Sequence, residues 1–148
     1  MPKKRHHNIP ASYLVLFDGN KTLLSLRKNT GYEDGNYSLV AGHVDPGETF
    51  TDCVIREVRE ESGIELKRKD LKVAHVMHRA ATDENYERVD VFFVARKWSG
   101  KIINLEPEKC AEIAWFDIDN LPKKTIPYVA QAIRSILDGE YYSEYGWE

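Results

Sequence analysis

The residues of this sequence best suited to chemistry are three glutamates, Glu57, Glu60 and Glu61, in a segment whose pattern predicts a helix over 49–62. At about 100° per residue, their carboxylates fall within about 100° of one another, on the same side of the helix as the apolar Val54. Such acids repel each other by roughly 0.2–0.5 kcal/mol for each i,i+3 or i,i+4 pair in water, and by more when partly buried. A fold that keeps them beside its core must therefore neutralise them.

Periodicity alone leaves two interpretations of this acidic cluster open. In the first, one or more hard divalent cations bind there, because Mg²⁺ prefers carboxylate oxygens and keeps part of its shell for water and phosphate. In the second, the acids form an ordinary solvated helix face, as runs of charge usually do. A solvated face would place the acids opposite Phe50, Val54 and Val58, which the helical spacing does not do.

The rest of the chain supplies the elements that must hold this helix in place. Runs rich in β-branched and aromatic residues predict strands, and two segments with a helical period predict helices. The predicted strands are 11–17, 21–28, 36–40, 71–78, 88–98 and 112–118, the predicted turns are 18–20, 42–48 and 83–85, and the predicted helices are 49–62 and 126–137. Five or six strands with helices between and after them indicate an α/β (α+β) fold with a mixed sheet covered on both faces.

The ends of the first helix carry clear signals. Thr49 is a good N-cap, with Asp52 three residues later in the capping-box position. Gly63 follows the last helical residue, where a left-handed backbone conformation commonly ends a helix. We therefore expect the acidic segment to be a well-delimited helix rather than a frayed one.

Length and composition limit the function classes. The chain has 148 residues, a formal net charge of -3 and a sequence pI near 6.0. This fits one compact domain over 1–148 and excludes collagen-like, disordered and disulfide-scaffold proteins. The charge gives no general attraction to nucleic acid polymers or anionic lipid, no apolar run approaches the ~18 residues of a membrane span, and two distant cysteines fit a reducing cytoplasm.

Residues 42–64 resemble the Nudix box, Gly-x5-Glu-x7-Arg-Glu-U-x-Glu-Glu-x-Gly-U, in which U is a bulky aliphatic residue. Every specified position is filled, by Gly42, Glu48, Arg56, Glu57, Val58, Glu60, Glu61, Gly63 and Ile64. The order of predicted elements over about 9–140 is also similar to that of Nudix hydrolases. The resemblance implies an α/β/α sandwich with a mixed central sheet flanked by helices.

The resemblance also implies a metal-dependent activity. Nudix enzymes hydrolyse a nucleoside diphosphate linked to another group X, with Mg²⁺ or Mn²⁺. By position, Glu57, Glu60, Glu61 and the backbone carbonyl of Ala41 are the implied metal ligands, and Glu57 is the candidate to orient or deprotonate the attacking water. Arg56 is implied to act in the catalytic box by holding the glutamates, with Glu48 as its expected ion-pair partner.

Outside the box the candidates each have an ordinary alternative. Glu106 and Glu108 lie in a later loop that often supplies a catalytic base in this family, yet either could be a solvated loop acid. Arg27 resembles a phosphate-facing arginine, although strand-end arginines are usually solvated. Tyr37 could stack on a base, as could the other aromatic candidates, Tyr32 and Trp98, although single aromatics more often belong to the core or its rim. Asp90 could face the site, but a polar residue on a sheet edge is the commoner case.

The expected substrate is a small nucleotide. The markers of the subfamilies that hydrolyse ADP-ribose, diadenosine polyphosphates and coenzyme A are missing, so the chain looks most similar to MutT-like nucleoside triphosphate pyrophosphohydrolases. Ser38 stands where some relatives have a base-reading Asn, and the base is left unassigned. The alternatives are a catalytically inactive nucleotide-binding Nudix domain or an acidic interaction domain, and the sequence allows either a monomer or a homodimer.

Overall fold

The computed structural model describes residues 3–81 and 86–148, so the turn predicted at 83–85 lies outside the described residues. Over this part of the chain the structure has eight strands, two α-helices and one 3₁₀ turn. The strands are β1 (Asn8–Asp18), β2 (Lys21–Arg27), β3 (Tyr37–Ser38), β4 (Val40–His43), β5 (Lys72–Arg79), β6 (Glu87–Ala95), β7 (Cys110–Asp117) and β8 (Tyr142–Tyr145). The helices are α1 (Phe50–Ser62) and α2 (Pro127–Leu137), and the 3₁₀ turn is Arg68–Asp70.

Strand β1 is the organising strand of the sheet. It runs parallel to β6 on one side and antiparallel to β4 on the other, and its last residues form a hairpin with β2. Beyond β6 lie β5 and then β8, and β2 in turn pairs with both β3 and β7. The sheet is therefore mixed, as the order of elements predicts.

Alternate residues of β1 face opposite layers. Tyr13 and Val15 pack in the core that includes α2, whereas Leu14 and Leu16 pack in the core that includes α1. This alternation follows from the period of two along a strand, and both faces of β1 are apolar because a helix covers each one. The expected α/β/α sandwich is confirmed.

Helix α1 begins and ends where its caps predict. The Thr49 side chain accepts a hydrogen bond from the backbone N–H of Asp52, and Gly63 adopts the left-handed conformation at φ 76°. Val54 and Val58 are fully buried against the sheet. The apolar stripe of α1 thus packs the helix against β1 and β4. The acidic residues of α1 lie on the same side of the helix as this stripe.

Two parts of the sheet differ from expectation. The strand predicted over 36–40 is two short strands, and β4 continues through His43 into the segment predicted as an irregular turn, because residues 40–43 pair with β1. Strand β8 was not predicted, since four residues with exposed alternate positions give a weak signal; it lies on the outside of β5 and runs parallel to it. Within the described residues, neither helix has the length and apolar character needed to cross a membrane.

The cap of α1 gives a stability prediction. Thr49→Ala removes the hydrogen bond to the N–H of Asp52, so the free energy of unfolding should fall by about 1 kcal/mol in a denaturant titration. Thr51→Ala, inside the same helix, is the matched control and should change it by less than about 0.5 kcal/mol. Equal effects of the two substitutions would mean that the cap contributes nothing specific.

Candidate active site

The three glutamates of α1 open onto one cleft. Glu57, Glu60 and Glu61 line a cavity of about 420 Å³ together with Ala41 of β4 and Glu106 of the loop before β7. The other walls are Ser25, Arg27, Asn29, Thr30, Leu39, Val40, Lys109, Cys110 and Ile113. The helix, the central sheet and the 103–109 loop therefore bring four carboxylates and one backbone carbonyl to the same place.

Glu61 is the most perturbed acid of this cleft. Its Oε2 atom is buried and has no hydrogen-bond partner among the described residues. Burial, and next the charge of Glu57, raise the pKa of Glu61 to about 9. Burial also raises the pKa of Glu57, although its ion pair with Arg56 opposes the shift. Burial thus disfavours the charged forms of both Glu57 and Glu61, and a cation bound beside them would favour those forms.

Arg56 holds the acidic cluster from the side. Its guanidinium donates two hydrogen bonds to Glu48, from Nε at 2.7 Å and from Nη2 at 3.0 Å. Its Nη1 lies 2.7 Å from Glu57 and 3.3 Å from Glu60. Arg56 does not line the cleft, so it is a positioning residue rather than a member of the reacting set, and the expected ion pair with Glu48 is present.

Gly42 makes room for Glu57. A Cβ atom at residue 42 would overlap the Cδ and Oε1 atoms of Glu57, so any larger residue would push this carboxylate away from β4. The first glycine of the box is thus required by a close approach of strand and helix. This contact sets the depth at which Glu57 lies in the cleft.

The donor set suits a hard divalent cation. Carboxylate oxygens and a backbone carbonyl are the ligands that Mg²⁺ and Mn²⁺ favour, and the unpartnered oxygen of Glu61 is a buried acceptor that lacks a donor. Over residues 3–81 and 86–148, no group of three or more His, Cys, Asp or Glu side chains is already gathered into ligand geometry. Glu57 and Glu60 are instead both paired with Arg56.

Two predicted residues outside the box also reach the cleft. Arg27 lines it from the end of β2, with its Nε donating to the carbonyl of Tyr32 at 2.7 Å and its Nη2 to Thr30. Glu106 lines the same cleft. Both predicted residues therefore lie beside the acidic cluster of α1.

Two other predicted residues are not brought to the cleft. Tyr37 lies on β3, where its hydroxyl donates to Glu112 at 2.7 Å and its ring contacts Phe116, and it lines neither the cleft nor the pocket beside it. Glu108 is exposed and does not line the cleft. Tyr37 thus contacts Glu112 and Phe116 instead of lining either cavity, and the roles of Tyr37 and Glu108 stay predictions.

The remaining candidates have mixed outcomes. Tyr32 and Ser38 line the adjoining pocket, whereas Trp98 packs against Trp115 beside the α1 core. Asp90 lies on β6, between β1 and β5, so it is not an edge residue; it is fully buried and paired with Arg79.

Lys109 and Cys110 are cleft residues that the sequence reasoning missed. Both follow Glu106 in the chain, and Cys110 pairs with Arg27 in the register of β7 with β2. That register brings residue 110 beside Arg27 in the cleft. Nothing local to the segment Lys109–Cys110 indicates it, so the signal would have been the pairing of two strands more than eighty residues apart.

The comparison with protein families decides the relationship. A family model described as the NUDIX domain matches residues 7–136 of this chain. The chain belongs to the NUDIX family. The match includes the whole acidic helix and strands β1–β7 of the sheet that holds it, so the Nudix box here lies within a Nudix fold.

Curated relatives resemble this Nudix chain over part of their length. An NAD-capped RNA hydrolase NudC of Shigella dysenteriae is 32% identical over 128 residues, which is 84% of this chain and 46% of the relative. The protein of the same name from Stutzerimonas stutzeri is 30% identical over 113 residues, which is 76% of this chain and 38% of the relative. The chain thus spans less than half the length of these relatives.

Solved structures agree with the fold. A MutT NUDIX hydrolase from Burkholderia pseudomallei has a TM-score of 0.79 and 26% identity, and the match covers 87% of this chain and 98% of that one. A MutT protein from Methanosarcina mazei has a TM-score of 0.77 at 18% identity, covering 92% of this chain and 97% of that one, and supports the fold alone.

The Arg56–Glu48 pair gives a pH prediction. Hydrogen bonds from Arg56 lower the pKa of Glu48 from its ordinary 4.5 to about 2. Because the folded pKa is depressed, the pair stabilises the protein above the ordinary pKa, and this contribution is lost as the pH falls toward 2. The difference in unfolding free energy between the wild type and Glu48→Gln should therefore shrink by more than half between about pH 5 and about pH 3. A difference that is constant over this range, measured by urea titration, would contradict the assignment.

Proposed function

We propose that this Nudix protein is a Mg²⁺-dependent hydrolase of a diphosphate linkage in a nucleoside triphosphate or a related nucleoside diphosphate derivative. Water attacks phosphorus, and the products are a nucleoside monophosphate with either pyrophosphate or an X-phosphate. The observation that carries the proposal is the convergence of Glu57, Glu60 and Glu61 on one cleft, with a carboxylate oxygen of Glu61 buried and unpartnered. Such a cluster is stable in its charged form only with a cation beside it.

The residues that would hold the metal are Glu57, Glu60, Glu61 and the carbonyl oxygen of Ala41, all of which line the cleft. Mg²⁺, for which Mn²⁺ can substitute, would screen the phosphate charge and make a water molecule more acidic. Proton transfer and phosphate binding would be carried out by side chains of the protein.

Glu57 is the group we assign to orient the attacking water and accept its proton. It lies deep against β4, and Arg56 fixes its carboxylate from the other side. Glu106 is the second candidate for this role, since it lines the same cleft. A carboxylate acts as a general base only within hydrogen-bond reach of the water, and a water bound in this cleft would lie near both acids.

Cationic side chains in the cleft would bind the phosphates. Arg27 and Lys109 line it together with the acids. Arg27 and Lys109 would bind some of the phosphate oxygens directly, and the acids would hold others through the metal ion. The polyphosphate chain would then be aligned along the cleft. Phosphoryl transfer depends mainly on this kind of positioning and charge neutralisation.

The names of the curated relatives favour a second substrate candidate, an NAD-type dinucleotide, which also contains a diphosphate linkage. Those names include capped RNA, although the net charge of this chain, -3, does not favour a nucleic acid polymer. An inactive nucleotide-binding domain is the least supported alternative, because the full acidic set would have no purpose there.

Two cysteines without a disulfide among the described residues support a reducing compartment such as the cytoplasm.

A substrate panel tests this proposal. The full chain is incubated with Mg²⁺ or Mn²⁺ and with nucleoside triphosphates, NAD, other nucleoside diphosphate derivatives and NAD-capped RNA, and the products are separated by chromatography. We expect release of a nucleoside monophosphate from at least one small nucleotide, dependent on the metal. Absence of turnover of every diphosphate compound with both metals would overturn the assignment.

Substitutions in the cleft connect the activity to named residues. Glu57→Gln should lower kcat by about 10²–10⁴-fold, since it removes a proton acceptor without changing side-chain size. Glu106→Gln should lower kcat if this acid contacts the reacting water, and Glu108→Gln, whose side chain lies outside the cleft, is the matched control. If Glu57→Gln retained most of the wild-type kcat, Glu57 would be neither metal ligand nor base.

A further inference from the structure

A second pocket adjoins the acidic cleft and shares two of its walls. It has a volume of about 220 Å³, and Arg27 and Ala41 line both cavities. Four tyrosines contribute to its lining, namely Tyr13, Tyr32, Tyr86 and Tyr128. Pockets for drug-sized ligands usually measure about 300–1,000 Å³, so this tyrosine pocket suits one ring system rather than a whole nucleotide. A ligand with a ring here would have its phosphates in the neighbouring cleft.

Arg79 of β5 is held rigidly in this pocket. Its Nε donates to Oδ2 of Asp90 at 2.7 Å, its Nη1 donates to the hydroxyl of Tyr32 at 3.2 Å, and its guanidinium lies 3.9 Å from the centre of the Tyr128 ring. The side chain of Arg79 is 10% exposed and that of Asp90 is fully buried. The plane and direction of the guanidinium are therefore fixed before any ligand binds.

The Nη2 group of Arg79 has no hydrogen bond to any described residue. The described residues that line the pocket include no Asp, Glu, Asn or Gln side chain, so its strongest polar groups are donors. A ligand edge that meets them must present acceptors. Because Asp90 already compensates the charge of Arg79, that acceptor need not be an anion, and an uncharged carbonyl oxygen fits.

We propose that Arg79, positioned by Asp90, is a specificity-determining residue whose Nη2 group donates a hydrogen bond to a carbonyl acceptor of a base bound among the tyrosines. This inference rests on the proposed nucleotide hydrolase function and names its substrate class. The Nη2 donor matches the O6 acceptor of a 6-oxopurine, whereas adenine places an amino donor at that position. The preferred substrates are therefore nucleotides whose base carries an oxo group where adenine carries an amino group.

Inosine and adenosine monophosphates are the matched probes, because their bases differ in the oxo or amino group at C6. Binding of each to the full-length protein is measured by isothermal titration calorimetry. We expect IMP to bind about 10-fold more tightly than AMP. These monophosphates contain no linkage to cleave, so the measurement does not depend on activity.

Arg79→Lys tests the residue, since lysine keeps a charge beside Asp90 but has no second nitrogen to take the place of Nη2. The IMP preference should fall to about 2-fold or less. Arg96→Lys is the matched control, because Arg96 also stacks on an aromatic ring, Phe17, but outside the pocket; it should keep the wild-type ratio. Circular dichroism checks folding, and if Arg79→Lys does not fold, Tyr32→Phe removes one of the contacts that fix Arg79 and should also reduce the ratio.

Equal or tighter binding of AMP by the wild type, or no measurable binding of IMP, would overturn the inference. A preference for IMP that survives in folded Arg79→Lys would also overturn it. Where Arg79→Lys does not fold, a preference that survives in Tyr32→Phe would do the same. These outcomes are separate from failure of the proposed function. An IMP preference without turnover of any diphosphate would remove the hydrolase assignment alone, and turnover without an oxo preference would remove only the role of Arg79.

Discussion

The burial of closely placed carboxylates is the constraint on which the rest of this structure depends. Glu57 and Glu61 lie side by side on α1, partly removed from water, and Arg56 offsets only part of their charge. Holding these two carboxylates away from water is unfavourable in free energy. Gly42 leaves the space that Glu57 occupies, and Glu48 holds Arg56 in place beside the acids, so both help to fix the geometry of the carboxylates.

The cleft and the tyrosine pocket divide the work of binding one ligand. The cleft combines oxygen donors for a cation with Arg27 and Lys109 for phosphate, while the pocket offers aromatic rings and the fixed donors of Arg79. Arg27 lines both cavities, and it would therefore lie near the part of a bound nucleotide that links the base to the phosphates. In the proposed function, the cleft would neutralise the charge of the phosphates and the pocket would select the base.

The local parts of this account could be predicted from the sequence, and the non-local parts could not. Helix α1 is set by Thr49, Gly63 and an apolar period, all of which act within a few residues, and the acidic cluster follows from helical spacing. The position of Cys110 beside Arg27 depends on the register of β7 with β2, which no local pattern encodes. Tyr37 was misplaced for the same reason, because the side of β3 that faces the cleft is decided by its pairing with β2.

The thermal midpoint of unfolding, measured with and without Mn²⁺ for the wild type and Glu61→Gln, tests the central claim most directly. At about 100 times its Kd, a bound ion stabilises by about 2.7 kcal/mol, which raises Tm by about 5–10 °C for a domain of this size. We predict this rise in the wild type and a much smaller one in Glu61→Gln, whose metal-free form should be at least as stable as the wild type because a buried acid is gone. No rise in the wild type, or an equal rise in both proteins, would contradict the account.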